Sequence, residues 1–259
     1  MAVFRLYKER YCINMSAYGP LAPVYDKFTN DVCYADFADY YEKIFKERGK
    51  KVRSLLDIGC GTGSLTVIMA QRGYEMVAAD ASSDMLCIAQ EKFSELSDVI
   101  PPLFLCQSMT ELDLYGTVDA ALSCLDAVNY LPSADLPELF HLLHLFIEPG
   151  GLLIFDINSP ERLRSLDGFT SVDEDENCLC LWRADYSTKE SALYYGMDIF
   201  TRRGRFWQRS FEEHIEYSHE PEGLLRLLSE AGFTNAEKRS DGPQNELGRV
   251  FIIAENTAH

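Results

Sequence analysis

Positive charge is scarce in this chain. Its 24 Lys and Arg stand against 41 Asp and Glu, a formal net charge of −17. Such a field repels polynucleotides, whose binding rests on Lys and Arg neutralising phosphates, so nucleic acid is not expected as a partner. The densest basic stretch, Thr201–Arg205 (TRRGR), reads as a solvated hairpin turn about Gly204. Long apolar runs are missing as well. No stretch approaches the ~20 apolar residues of a membrane span. Near the start, Arg5, Lys8, Glu9 and Arg10 interrupt what a signal peptide would need as an apolar core. A cytoplasmic protein with no membrane partner is expected. Residues 1–16 read as an N-terminal extension, 1–14 being either a loose tail or the product of a start upstream of Met15. Cysteine pairs are absent too. Cys12, Cys33, Cys60, Cys87, Cys106, Cys124, Cys178 and Cys180 form no C-x-x-C and mostly lie in apolar runs. They fit thiols in a reducing compartment rather than a disulfide framework. Cys178 and Cys180 share one face of a strand, but no further Cys or His stands at ligand spacing, and no metal is expected.

What is present is a chain of 259 residues, 47% hydrophobic, long enough for one large domain or a core with an insertion. From residue 53 short apolar runs alternate with amphipathic stretches. Strands are expected at 52–59, 74–80, 101–107, 118–125 and 152–158, and helices at 64–73, 82–96 and 133–147, the last closed by the EPGG turn at 148–151. Repeated β-α units imply a parallel sheet with right-handed crossovers and helices on both faces. After Asn158 the rhythm changes. Residues 171–177 read as an acidic surface loop, and 176–187, 191–202 and 205–218 as an aromatic-rich antiparallel meander. A helix at 220–233 and strands at 234–241 and 249–256 complete the core. The expected fold class is α/β: a Rossmann-like, doubly wound, mostly parallel seven-stranded sheet with an antiparallel insertion after the fifth strand. The core is expected at 17–159 and 219–259, and the insertion at 160–218.

In such a sheet a ligand sits at the carboxyl ends of the strands, where strand order reverses. The stretch LLDIGCGTG (55–63) is the first strand, its turn and the entry to the first helix. Gly59 and Gly61 are expected to let backbone N–H groups approach a ligand closely. Three ligand classes compete. A P-loop ends in Gly-Lys-Ser/Thr, which is absent. A dinucleotide site wants G-x-G-x-x-G, whereas Gly59, Gly61 and Gly63 are spaced G-x-G-x-G. Asp57 is unfavourable beside a pyrophosphate but suits a cation.

LLDIGCGTG resembles the first motif of class I S-adenosylmethionine-dependent methyltransferases, (D/E)-x-G-x-G-x-G. Further motifs follow in order. The resemblance implies that Asp80, closing the second strand, accepts from both ribose hydroxyls. It places Ala81 and Met85 near the adenine, Met85 being alternatively a core residue. It sets Ser108 and Met109 beside the adenine, with Ser108 where Asp is usual, and Leu125 and Asp126 at the methionine and acceptor side. Tyr18, Ala22, Tyr25 and Asp26 match an N-terminal Y-x-x-x-A-x-x-Y-D segment of small bacterial members, which folds over the cofactor. Tyr18 and Tyr25 would either reach the cofactor carboxylate or pack as an aromatic cap. Asp57 either orients the glycine turn, with Cys60 inside it, or touches the cofactor.

The implied activity is methyl transfer from S-adenosyl-L-methionine to a nitrogen or oxygen of a small molecule. No NPPY-type segment of exocyclic-amine nucleic-acid methyltransferases follows the fourth strand, where SCLD stands instead. Asn158, Trp182, Tyr194 and His214 are candidate acceptor-side residues by position or type. Asn158 would otherwise start a turn, and the insertion is either a substrate lid or a homodimer surface. A cofactor-binding protein without transferase activity and a nicotinamide-dependent oxidoreductase are the competing readings.

Overall fold

The computed structural model describes residues 21–257. Tyr18 and the 1–16 extension lie outside that range. Two helices come first, α1 (Ala22–Phe28) and α2 (Tyr34–Glu47). There follow β1 (Ser54–Ile58), α3 (Ser64–Gln71), β2 (Glu75–Asp80), α4 (Ser83–Ser94), β3 (Leu103–Cys106) and β4 (Val118–Ser123). After a 3₁₀ turn at Ala127–Tyr130 come α5 (Leu136–Phe146), β5 (Ile147–Asn158) and α6 (Pro160–Ser165). Strands β6 (Thr170–Glu174), β7 (Cys178–Ser187), β8 (Ala192–Arg203) and β9 (Phe206–Tyr217) precede α7 (Pro221–Glu230), β10 (Phe233–Arg239) and β11 (Arg249–Asn256).

The main sheet has seven strands in the order β3-β2-β1-β4-β5-β11-β10. The first five are mutually parallel, and β11 runs antiparallel to both β5 and β10. Strands covered on both faces must be apolar throughout, and Leu55, Leu56, Ala120, Ala121, Leu122 and Leu152–Phe155 are all buried. One core lies where α5 and α7 cover the sheet (Leu139, Phe140, Leu143, Leu224, Leu228). The other lies under α2 and α3 (Phe37, Tyr41, Ile44, Leu65, Met69). The apolar residues of α2 fall at i, i+3, i+4 and i+7, one helical face, each contributing about 1.5–3 kcal/mol of burial. Among the described residues no helix is long and apolar enough to cross a membrane.

The doubly wound α/β expectation holds, with local corrections. The EPGG stretch is not a turn outside the sheet, because β5 already begins at Ile147 and pairs with Val118. Its register then shifts before Ala120, and the kink is absorbed at Gly151, where a Cβ would sit 2.5 Å from the Asp119 carbonyl. The acidic stretch 171–177 is partly a strand. Residues Thr170–Glu174 pair antiparallel with β7, their charges pointing to water along a sheet edge. The meander is a four-stranded sheet, β6-β7-β8-β9, with the TRRGR turn at Gly204 joining β8 to β9.

Candidate active site

Strand order reverses between β1 and β4, and a cavity of roughly 530 Å³ opens there. It reaches from the glycine turn, past the segment after β4, to the inner faces of β7, β8 and β9.

At the glycine end, Gly59, Gly61 and Gly63 all have left-handed φ, between +54° and +73°. Their N–H groups are not offered to a ligand. Gly59 and Cys60 both donate to the Ala79 carbonyl, Gly63 donates to the Cys60 carbonyl, and Gly61 donates to Asp80 Oδ2 at 2.8 Å. This corrects the expectation that the Gly59 and Gly61 N–H groups approach a ligand: both are taken within the protein. The glycines divide the work. A Cβ on Gly61 would meet nothing within 4 Å, so this residue faces open space. A Cβ on Gly59 would press on Ala127 and Met109, and one on Gly63 on Ala89. Gly63 does not line the cavity, and its need is close helix packing.

Asp80 ends β2 on the cavity wall. Its Oδ1 accepts the Ser82 N–H at 2.8 Å, so two backbone donors fix the carboxylate. Burial raises its pKa against the pull of those two bonds. Ala81, Met85, Ser108, Met109 and Leu112 line the wall beside it. Ser108 shares its hydroxyl with Thr110 and Glu111. Asp57 is buried under the turn and accepts from the Thr66 hydroxyl of α3, tying strand end to helix rather than holding backbone N–H groups. Burial pushes it up to about 6, opposed by the Thr66 bond and assisted by Asp80.

Helix α1 is docked against this end. Asp26 accepts from the Thr62 hydroxyl at 2.6 Å and pairs with Lys92 Nζ at 2.7 Å. Leu21 N–H donates to Glu212 of β9 at 2.7 Å. Tyr25 thereby lines the cavity, its hydroxyl pKa raised first by burial and then by Asp126.

Past β4 the chain turns through Leu125 and Asp126, with φ of +58° and +54°. Two successive left-handed residues without glycine are costly and need external support. Asp156, fully buried in β5, accepts both of their N–H groups, at 3.0 and 2.9 Å. Arg249 of β11 binds Asp156 and, at 2.8 Å, Asp126. Neither Asp156 nor Arg249 was singled out by the sequence. The available signal was a carboxylate inside the apolar run LLIFDIN, the argument that did find Asp80.

The far end is walled by Tyr130, Trp182, Tyr195, His214 and Glu216. Strand β9 breaks the usual alternation: Glu212, His214 and Glu216 occupy its buried face. His214 Nε2 lies 3.0 Å from Glu212 Oε2, and its ring meets Tyr130 edge-on. Asn158 lines the cavity and donates its amide to Glu216 Oε2 at 3.0 Å. Trp182 packs edge-on against Phe28. Tyr194 is the exception among the expected residues. It bonds Glu190 away from the cavity, and its neighbour Tyr195 takes the inward position, since strand side chains alternate.

The wall suits a nucleoside that carries no phosphate. The N–H groups of Gly59, Cys60, Gly61 and Gly63 are already taken within the protein, which disfavours a pyrophosphate, and Asp57, Asp80, Asp126 and Glu216 are among the cavity's lining residues. Comparison with known proteins agrees. A methyltransferase-domain family model matches residues 55–151. A Geobacillus sp. (strain WCH70) protein named "Putative methyltransferase GWCH70_2453" is 30% identical over 248 residues, spanning 92% of this chain and 98% of that one. The Bacillus subtilis (strain 168) protein named "Putative methyltransferase YqeM" is 29% identical over 247 residues, spanning 93% and 97%. The crystal structure of a S-adenosylmethionine-dependent methyltransferase from Clostridium acetobutylicum ATCC 824 superposes with a TM-score of 0.80 at 26% identity, covering 93% of this chain and 99% of that one. The chain belongs to the class I S-adenosylmethionine-dependent methyltransferase family, with S-adenosylmethionine as its cofactor.

Proposed function

We propose that this enzyme methylates a nitrogen or oxygen of a small molecule. The observation that carries the reading is the continuity of the cavity between the two sheets. One continuous space of roughly 530 Å³, within the range of small-molecule sites, holds both the glycine turn and the face of the second sheet. The net charge of −17 disfavours a phosphate backbone.

In this reading Asp80 accepts from the two ribose hydroxyls, held in place by the Gly61 and Ser82 N–H groups. Met85 and Met109 flank the adenine, with Ser108 at its edge. Gly61 leaves room for the ribose and methionine portion, which Tyr25, Cys60 and Leu125 bound. Asp57 sets the turn from below. When bound, S-adenosylmethionine supplies an electrophilic sulfonium methyl. The chain's own part is to align the acceptor with that methyl and to exclude water, effects that contribute about 7–11 kcal/mol when alignment is tight. Residues 160–218 serve as the acceptor-side cover, with Trp182 and His214 on its inner face.

A thermal-shift panel with S-adenosylmethionine, S-adenosylhomocysteine and NAD tests the cofactor end. Stabilisation by the first two alone is expected, and a shift with NAD alone contradicts the reading. Transfer of a labelled methyl group across a metabolite panel tests the acceptor end. Label appearing only in protein or nucleic acid would overturn the small-molecule assignment.

A further inference from the structure

Glu216 is a carboxylate in an unusual place. It sits on the buried face of a strand, 4% exposed, where an apolar side chain is the rule. A carboxylate can accept about four hydrogen bonds. Among the described residues Glu216 receives one, from the neutral Asn158 amide. The other acid of the same strand face is better served. Glu212 accepts the Leu21 N–H and faces His214.

The groups around Glu216 come from five elements. Asp126 follows β4, Asn158 ends β5, Arg162 lies on α6, Tyr195 on β8 and Arg249 on β11. Arg249 is already bridged between Asp126 and Asp156. The recess thus gathers the Asp126 and Glu216 carboxylates, the Arg249 guanidinium, itself committed to Asp126 and to Asp156 behind the wall, and Arg162. Aromatic faces complete it: Tyr130, Trp182 and Tyr195 line the same end. Acids beside aromatic rings in a desolvated recess favour an organic cation.

We propose that the methyl acceptor is an amine on a ring-bearing scaffold, bound as its ammonium ion at Glu216, whose carboxylate takes the proton that frees the nitrogen for attack. The inference rests on the methyl-transfer reading above. The proton balance is closed. The ammonium N–H breaks and its proton moves to a Glu216 oxygen, leaving the lone pair on nitrogen. That pair forms the new C–N bond while the S–CH₃ pair stays on sulfur, and the product leaves as an alkylammonium. Glu216 then returns its proton to solvent. Its pKa fits such a role: burial, then Asp126, push it up to about 8, against the Asn158 bond and the two arginines. The empty site therefore holds a proton more readily than an exposed carboxylate does, and binding an ammonium ion favours its release.

The test uses the full-length enzyme saturated with S-adenosylhomocysteine, as wild type and as Glu216→Gln, which keeps the shape and the Asn158 contact. Benzylamine and glucosamine are the probes, with benzyl alcohol and glucose as neutral counterparts. Wild type should bind at least one of the amines about tenfold more tightly than its counterpart. Calorimetry at pH 7 in buffers of different protonation enthalpy should register release of close to one proton per amine bound. In Glu216→Gln both the preference and the proton release vanish, while S-adenosylhomocysteine binds as in wild type. With a turned-over amine, kcat should fall about 10²-fold or more and lose its rise toward pH 8. Equal binding of amines and neutral counterparts, no proton release, or an unchanged pH profile in the variant overturns the assignment of Glu216. Failure of wild type to bind S-adenosylhomocysteine overturns the methyl-transfer reading itself, so the two failures are separable.

Discussion

Replacing Asp156 with Ala removes the group that holds the turn after β4. Three partners lose it at once: Arg249, and the N–H groups of Leu125 and Asp126. Asp156 is fully buried and Arg249 is 8% exposed, so the remaining guanidinium stays in the interior with Asp126 as its one direct ion-pair partner among the described residues. Breaking a buried pair by deleting one partner costs about 3–5 kcal/mol. Against a total stability of ~5–15 kcal/mol that is a large fraction. At roughly 2–4 °C per kcal/mol for a chain of this size, the melting temperature should drop by roughly 6–20 °C. The left-handed turn adds a functional readout, because Leu125 and Asp126 line the cavity. Once their N–H anchors are gone, S-adenosylhomocysteine should bind less tightly in the fraction that stays folded. The assay is urea denaturation at pH 7 of wild type, Asp156→Ala, Arg249→Met and the double variant. Removing the stranded charge should make the double variant less destabilised than the sum of the singles, by roughly 0.5–3 kcal/mol. A loss under about 1 kcal/mol in Asp156→Ala, or strict additivity in the cycle, would refute the reasoning.

Two other predictions follow from the glycine end. Asp57 has its pKa raised to about 6, above the unfolded value of ~3.9, so the folded chain binds more protons than the unfolded one between those values. Its contribution to stability is therefore fully present below about pH 4 and lost as pH rises through 6. Asp57→Asn should flatten that slope and overtake wild type above pH 6 by an amount on the order of 2–3 kcal/mol. Denaturation midpoints from pH 4 to 8 check this, and identical slopes would contradict it. Ala at Gly59 and at Gly61 should behave differently, although each meets a left-handed cost of about 1–2 kcal/mol. At Gly59 the new Cβ would lie 2.8 Å from Ala127 Cβ, adding about 1–3 kcal/mol of overpacking. At Gly61 the space is open, so stability changes less while S-adenosylhomocysteine affinity drops tenfold or more. Denaturation and calorimetry on the two variants should show that split, and the reverse pattern would overturn the division of labour in the turn.

The sheet was readable because parallel strands covered on both faces leave apolar runs, and 55–58, 76–80 and 152–157 each carry one. Asp80 was readable for the same reason, as an acid closing such a run. The stretch at 171–177 was misread because an edge strand pairs on one side only and keeps its charges in water. EPGG was misread because two glycines and a proline mark a turn in most contexts, whereas here they form a kink inside the sheet. Tyr194 and Tyr195 could not be told apart, since alternation fixes that they oppose each other but not which faces in. Glu216 and Arg249 were missed because their burial arises from tertiary packing. In FEEHIEY the polar residues occupy the inward positions, and only the sheet's placement over the cavity reveals it.

Titration of S-adenosylhomocysteine into wild type and Asp80→Ala measures the central claim, that this cavity binds the cofactor through the acid at the end of β2. Asp80→Asn serves as a control that keeps an acceptor for the Gly61 or Ser82 N–H. Losing two hydrogen bonds to a charged acceptor should weaken binding on the order of 100-fold in Asp80→Ala, with an unchanged circular dichroism spectrum. Equal affinity in wild type and Asp80→Ala would contradict the account.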